Sequence, residues 1–183
     1  MPLTPTQRGV RTGAFVAAIA TLAVVMLGSI YNPFQFAADL AVPERLAMAA
    51  EAALLPGVAL AFAIAQLARH RFATSDDIDA AAGPAPTERA RVLQALIQNT
   101  LEQAVLAVVA YAAWAAVMPA NWLSAVPCAA ITFLLGRAAF HFGYERGAAA
   151  RSFGFGLTFY PTLFMLALLV LRIGEHLVGP TAH

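Results

Sequence analysis

The sequence contains no lysine, a single cysteine and only 11% charged residues. With one cysteine, Cys128, an intramolecular disulfide is impossible, and the uncharged neighbours of that thiol favour a packing role. The four histidines are scattered along the chain without the close spacing of a metal site, so we expect no metal. All 11 basic residues are arginine, and the net charge of +1 gives no reason to expect a nucleic-acid partner.

Apolar residues, by contrast, are abundant. They make up 61% of the chain, and the mean hydropathy is +0.72, above the range of ordinary soluble domains. A helix needs ~20 apolar residues to cross ~30 Å of hydrocarbon, and five segments meet this condition. The sequence therefore predicts an all-α membrane protein with spans at about Gly13 to Tyr31, Leu46 to Ala68, Arg91 to Val117, Trp122 to Tyr144 and Ser152 to Leu171.

The first span has a second interpretation. Arg8 and Arg11 precede it, as basic residues precede the apolar core of a signal peptide. The run is long for such a core, however, and no clean cleavage site follows it directly. We favour a retained helix over a cleaved signal peptide.

The arginines also predict the orientation. Most of them flank three regions: the N-terminus, the connection between the second and third spans, and the connection between the fourth and fifth. The opposite side receives only Arg45 and Arg172. Because arginine-rich short loops stay in the cytoplasm, we expect an inner-membrane protein with its N-terminus inside and its C-terminus outside.

The connection between the second and third spans, residues 69–89, is the one sizeable loop. It contains Asp76, Asp77 and Asp79, followed by Gly83 and Pro84. Acidic residues beside glycine and proline are typical of a solvated, mobile connection.

The polar stretch Gln98-Asn99-Thr100-Leu101-Glu102-Gln103 lies inside the third span, where polar groups are costly and tend to mark functional sites. Arg91, Gln98 and Glu102 share one face of this helix because they are spaced by seven and four residues. On the fourth span, Arg137 and Tyr144 share a face in the same way. We expect an ion pair between Glu102 and Arg137, since either charge alone in the membrane would be very costly.

Three interpretations of these polar residues remain open. In the first, the ion pair fixes the register of the two helices and binds no ligand. Alternatively, Tyr144 and Arg151 lie beside Arg91 at the cytoplasmic helix ends and hold an anionic small molecule. A transporter or channel subunit would need a continuous polar path, and the outer halves of these helices supply little of one.

Several motifs occur in a fixed order along the chain. They are Arg91 to Glu102 with its Gln-Asn-Thr-Leu-Glu-Gln ending, Leu135-Gly136-Arg137, Gly143-Tyr144, and Arg151-Ser152 with Gly154-Phe155. This combination resembles the MAPEG family, the membrane-associated proteins in eicosanoid and glutathione metabolism, in a bacterial-type form. The resemblance covers about Leu46 to Leu171. It divides the chain into residues 1–45, an extra N-terminal transmembrane helix with its outer loop, and residues 46–183, a MAPEG-like four-helix transmembrane domain.

The resemblance implies a homotrimer that binds glutathione between subunits and acts on a small lipophilic substrate. Asn99, Glu102 and Tyr144 match family residues that line the glutathione site, and Arg137 matches a buried family arginine. Arg151 matches the arginine proposed to activate the thiol, because a nearby guanidinium favours the nucleophilic thiolate. The implied activity is glutathione transfer to a lipophilic electrophile, or reduction of a lipid hydroperoxide.

The chain departs from the eicosanoid enzymes at three positions of this pattern. Ala95 stands where those enzymes carry an arginine that binds a glutathione carboxylate, Phe140 where they have tyrosine or histidine, and Phe155 where the prostaglandin-forming branch has a polar aromatic residue. These departures motivate a second hypothesis. It is a non-catalytic trimeric membrane protein that holds a membrane lipid or another anion.

Overall fold

The structure is a computed structural model that describes residues 2–79 and 85–178. The described part is helical. Its α-helices are α1 (Pro5–Tyr31), α2 (Val42–Ala73), α3 (Ser75–Ile78), α4 (Glu88–Val117), α5 (Ala125–Gly143) and α6 (Ala148–Val178). Short 3-10 turns at Ala120–Trp122 and Tyr144–Arg146 lie on either side of α5.

Five of these helices are long and apolar enough to cross a membrane, which confirms the five spans expected from the sequence. Four of the five helices begin before their apolar segments, whereas α5 is shorter than its expected span because 3-10 turns lie on either side of it. The first helix begins at Pro5, two turns before Gly13, because Thr4 and Gln7 form a capping box at its start. Pro56 and Pro161 lie inside α2 and α6 without ending either helix.

Some of the packed helix pairs are neighbours in the sequence, and others are far apart in it. Helix α1 lies along α6, α2 along α4, and α5 along α6, with smaller contacts from α1 and α2 to α5. The N-terminus, the α2 to α4 connection and the α5 to α6 connection lie at one end of the bundle, and we call it the Arg-rich end. Near the opposite end, the core contains the fully buried side chains of Tyr111, Trp114, Leu123, Phe133 and Met165.

Small residues allow α1, α5 and α6 to approach closely, as they do in many membrane helix pairs. A Cβ added at Gly13 would lie 3.1 Å from the backbone nitrogen of Phe153 on α6. A Cβ added at Gly154 would lie 2.7 Å from the Cα atom of Phe140 on α5. At Gly13 the side-chain oxygen of Ser152 is nearer still, whereas at Gly154 all the near atoms are backbone atoms, so side-chain motion cannot relieve the contact there.

The connection after α2 differs from the mobile loop expected from its composition. Helix α2 continues to Ala73, and the short α3 follows at once. Asp77 is 3% exposed, and its carboxylate accepts hydrogen bonds from the Thr87 hydroxyl (2.5 Å) and the Thr87 backbone N–H (2.9 Å). His70 Nε2 lies 2.8 Å from the same carboxylate. These contacts fasten the end of α2 to the N-cap of α4, whereas Gly83 and Pro84 lie outside the described residues.

These contacts favour the ionised form of Asp77. The hydrogen bonds from Thr87 lower the pKa of Asp77 below its ordinary value, and His70 lowers it further. A carboxyl group with a lowered pKa in the folded state stabilises the fold above its unfolded pKa. This contribution is lost as the pH falls through the folded pKa.

The first prediction concerns Gly154→Ala. The added methyl group must push α5 from α6, so we expect the free energy of unfolding to fall by about 1–3 kcal/mol. Thermal unfolding of the detergent-solubilised protein measures this change. The matched control is Gly57→Ala, because a Cβ at Gly57 meets no atom within 4 Å and alanine favours the helix by roughly 0.5–1 kcal/mol. Equal melting temperatures for the two variants would contradict the close α5 to α6 contact.

The second prediction concerns Asp77→Asn. We expect a lower melting temperature at neutral pH, because the ionised acceptor is lost. The melting temperature of the variant should also fall less than that of the wild type between neutral pH and about pH 3, below the ordinary carboxyl pKa. Asp76→Asn is the control, since Asp76 is exposed and, among the described residues, its side chain accepts a hydrogen bond from the Ser75 hydroxyl alone. Identical pH profiles for wild type and Asp77→Asn would exclude the stabilising role.

Candidate functional site

A cleft of about 580 Å³ opens near the Arg-rich end between α1, α4, α5 and α6. Four side chains expected from the sequence to form a binding site line this cleft together: Asn99, Glu102, Tyr144 and Arg151. Helix α4 supplies the first two, the turn after α5 supplies Tyr144, and the first turn of α6 supplies Arg151. We refer to this cavity as the polar cleft.

Arg151 and Tyr144 form the most specific contact in the polar cleft. The Cζ atom of the Arg151 guanidinium lies 4.8 Å from the centre of the Tyr144 ring, within the range of a cation–π interaction. Both side chains are half-buried. Among the described residues, no carboxylate forms a salt bridge with Arg151. This guanidinium is therefore a positioned cation that retains capacity for an anionic ligand.

Glu102 supplies negative charge on the opposite wall. Its side chain is exposed, and its Oε1 atom accepts a hydrogen bond of 2.9 Å from Nε2 of Gln98, one helical turn away. Gln98 also lines the polar cleft. The cleft thus presents a cation on α6 and a carboxylate on α4, which suits a ligand that carries charges of both signs.

The expected ion pair between Glu102 and Arg137 is not formed within the chain. Instead, Nη1 of Arg137 donates a 2.8 Å hydrogen bond to Oδ1 of Asn99, and Nη2 donates a 2.7 Å hydrogen bond to Oγ1 of Thr158. The guanidinium also lies over the Phe140 ring, 4.4 Å from its centre. The physical reason is the relative level of the helices, which places Asn99 rather than Glu102 beside the guanidinium.

The hydrogen bond from Arg137 orients the Asn99 amide. With Oδ1 engaged by the guanidinium, the NH₂ group of Asn99 remains as the donor available to a ligand. Arg137 therefore acts on the polar cleft through Asn99, and Phe140 separates its guanidinium from Tyr144. Thr158 in turn donates its hydroxyl proton to the carbonyl oxygen of Phe155, 2.8 Å away, which completes the network.

Arg91 lies beside the polar cleft rather than in its wall. It lines an adjoining groove of about 370 Å³ together with Arg71 and Gln94. Ala95 and Gln98 line both cavities, so the groove adjoins the cleft. The positive charge of this region therefore includes Arg71 as well as Arg91.

Two further features of the polar cleft were not found by sequence reasoning. Val10 and Ala14 of α1 form part of its wall, although α1 lies outside the motif-bearing spans. Thr158 holds Arg137, and its signal in the sequence is weak, because Thr158 is one of several hydroxyl residues in this span. The three departures from the family pattern, Ala95, Phe140 and Phe155, also line the cleft, so part of its lining is apolar.

A sequence profile of the MAPEG family matches residues 46–171. The chain belongs to the MAPEG family. The match covers α2 to α6 for most of their length and leaves α1 outside it. Searches of curated proteins and of solved structures gave no match. The polar cleft of this MAPEG protein is therefore built largely from the family segment, with α1 as an added wall.

Metal ligation has no support in the described residues, which contain no group of three or more histidine, cysteine or acidic side chains able to hold a metal ion. The chemistry available in the polar cleft rests on Arg151, Glu102, Asn99 and Tyr144. Together they offer charge stabilisation and hydrogen bonding to a bound ligand.

The third prediction is a double-mutant cycle on the Asn99 to Arg137 contact. Asn99→Leu and Arg137→Met should each lower the melting temperature, because each leaves a buried partner unsatisfied. The double variant should be more stable than additivity predicts by about 1–3 kcal/mol. Thermal unfolding in detergent measures the cycle. Gln98→Leu paired with Arg137→Met is the control and should be additive, since Gln98 contacts Glu102 and not Arg137. Additivity in the first cycle would show that the contact carries no coupling energy.

Proposed function

We propose that this MAPEG protein is a glutathione-dependent transferase or peroxidase that acts on lipophilic electrophiles. The observation that carries the proposal is the half-buried Arg151 guanidinium, held over the Tyr144 ring, with no carboxylate partner among the described residues. A thiol is a weak nucleophile until it ionises, and an adjacent cation favours the thiolate. Arg151 is therefore the catalytic residue of the proposed reaction.

The remaining side chains of the polar cleft suit the rest of glutathione, which carries one ammonium group and two carboxylates. Glu102 is the partner for the ammonium group, and Asn99 offers its NH₂ group as a hydrogen-bond donor. Arg91, in the adjoining groove with Arg71, is the partner for a carboxylate. The volume of about 580 Å³ lies within the ~300–1,000 Å³ typical of small-molecule sites.

In the transferase reaction, the thiol proton passes to water at the mouth of the cleft, and Arg151 stabilises the thiolate that remains. The sulfur then attacks an electrophilic carbon of the substrate. A carbon–sulfur bond forms, and the leaving group departs with the electrons of its bond. In the peroxidase reaction, two thiols reduce one hydroperoxide to an alcohol and water and are oxidised to a disulfide.

The quaternary structure and the membrane placement belong to the same proposal. We infer a homotrimer in the inner membrane, with the N-terminus in the cytoplasm and the C-terminus outside. The arginine distribution supports this orientation, since the Arg-rich end holds most of the arginines. Residues 1–45 are an added transmembrane helix and loop, and residues 46–183 form the four-helix unit.

A second candidate function is a non-catalytic trimer that holds a membrane lipid or another anion. The observation that favours it is the apolar part of the lining of the polar cleft, which Ala95, Phe140 and Phe155 supply. Without an arginine at position 95, one charge-assisted contact to glutathione is missing, and such a contact contributes ~1.5–3 kcal/mol.

The fourth prediction tests the two functions. Glutathione titrated into the purified, detergent-solubilised protein should bind, and Arg151→Ala should weaken binding roughly ten- to a hundred-fold. Isothermal calorimetry measures the affinity, and turnover of an activated aryl chloride with glutathione measures the reaction. Arg146→Ala is the matched control, because Arg146 is exposed and does not line the cleft. Absence of binding at millimolar glutathione would exclude the first function and favour the second.

A further inference from the structure

A second cavity, of about 510 Å³, lies between α2, α4 and α5 on the other side of Phe140 from the polar cleft. We call it the α2–α5 pocket. Phe140 lines both cavities, whereas none of the four site residues of the polar cleft lines the α2–α5 pocket. The pocket is therefore a separate site, and nothing in the proposed thiol chemistry uses it.

The α2–α5 pocket has an apolar half and a polar half. Helices α2 and α5 both run toward the Arg-rich end, so their higher-numbered residues lie nearer that end. The half away from the Arg-rich end is lined by Val58, Ala59, Leu134 and Leu135. The half nearer that end holds the polar side chains of Gln66, Arg137 and His141, among the apolar side chains of Phe140 and Phe142. A cavity with this gradient matches an amphiphile whose polar group points to the Arg-rich end.

The charge of Arg137 indicates the sign of that polar group. Arg137 is 6% exposed, its two hydrogen-bond partners are the neutral side chains of Asn99 and Thr158, and its Nε atom has no hydrogen-bond partner. No carboxylate among the described residues forms a salt bridge with it. A buried cation without a counter-ion is costly at membrane depth, so an anion in the adjoining pocket would be strongly favoured.

The other two polar side chains have free hydrogen-bonding capacity. Gln66 and His141 are half-buried, and neither side chain has a hydrogen-bond partner among the described residues. The His141 ring packs against Phe62 and Phe142, with ring centres 6.1 and 6.0 Å away. These two rings hold the imidazole at the polar half of the pocket, where its one N–H group and the Gln66 amide can donate to an oxygen ligand.

We propose that the α2–α5 pocket binds a single-chain anionic amphiphile, with its acyl chain along Val58 and Leu135 and its head group toward Arg137, Gln66 and His141. The head group is a carboxylate or a phosphate monoester, since both supply an anionic oxygen to these donors. The volume of the pocket lies within the ~300–1,000 Å³ of small-molecule sites. The proposal stands whether or not the polar cleft binds a thiol.

The test uses the full-length protein, purified in detergent and delipidated, with native mass spectrometry to count bound ligand. Palmitate is the carboxylate probe and palmitoyl lysophosphatidate is the phosphate probe. At least one of them should bind saturably, and the tighter of the two identifies the head group. Hexadecanol, which has the same chain and no charge, should bind at least about ten-fold more weakly.

Two variants locate the site. Ala138→Phe fills the pocket from an exposed position in its wall and should weaken binding of the preferred probe at least about ten-fold. Ala65→Phe makes the same change at an exposed alanine of α2 that does not line the pocket, and it should bind like the wild type. Gel filtration and thermal unfolding show that both variants fold, and Gln66→Leu with His141→Leu tests the polar half without adding bulk. Failure of both anionic probes to bind, equal binding of hexadecanol, or unchanged binding to Ala138→Phe would each overturn the proposal.

Discussion

The buried guanidinium of Arg137 is the constraint on which the rest of this structure depends. A positive charge at membrane depth must be held by several groups at once. Here an amide on α4, a hydroxyl on α6 and an aromatic ring on α5 hold it. The three helices are therefore fixed in relative level by one side chain. That same side chain lines the α2–α5 pocket and donates a hydrogen bond to Asn99, which lines the polar cleft. The two cavities are therefore separated by a layer that contains a positive charge.

The spans could be predicted from the sequence because each apolar run is long and its periodicity is simple. The grouping of Asn99, Glu102, Tyr144 and Arg151 at one end of the bundle also followed from helix spacing and the family pattern, although their roles in binding remain a prediction. The partner of Arg137 could not be found in this way. A choice between Asn99 and Glu102 depends on a relative shift of less than one helical turn between α4 and α5, and packing rather than spacing sets such a shift.

Composition was also a poor guide to the connection between α2 and α4. Aspartate beside glycine and proline suggests solvated chain, yet Asp77 is buried because Thr87, the N-cap of α4, supplies two hydrogen bonds to it. The composition of a short segment cannot reveal a hydrogen-bond partner that lies ten residues further along the chain. The packing of α1 against α6 could not be predicted for the same reason, because these are the first and the last helix of the chain.

The position of α1 has a consequence for comparing this protein with its family. Val10 and Ala14 line the polar cleft, yet they precede residue 46, where the family segment begins. Two proteins with the same motifs from Arg91 to Phe155 would thus have differently shaped clefts if only one carried such a helix. The shape of the polar cleft in a five-helix member is then partly encoded in residues that an alignment of the shared domain never contains.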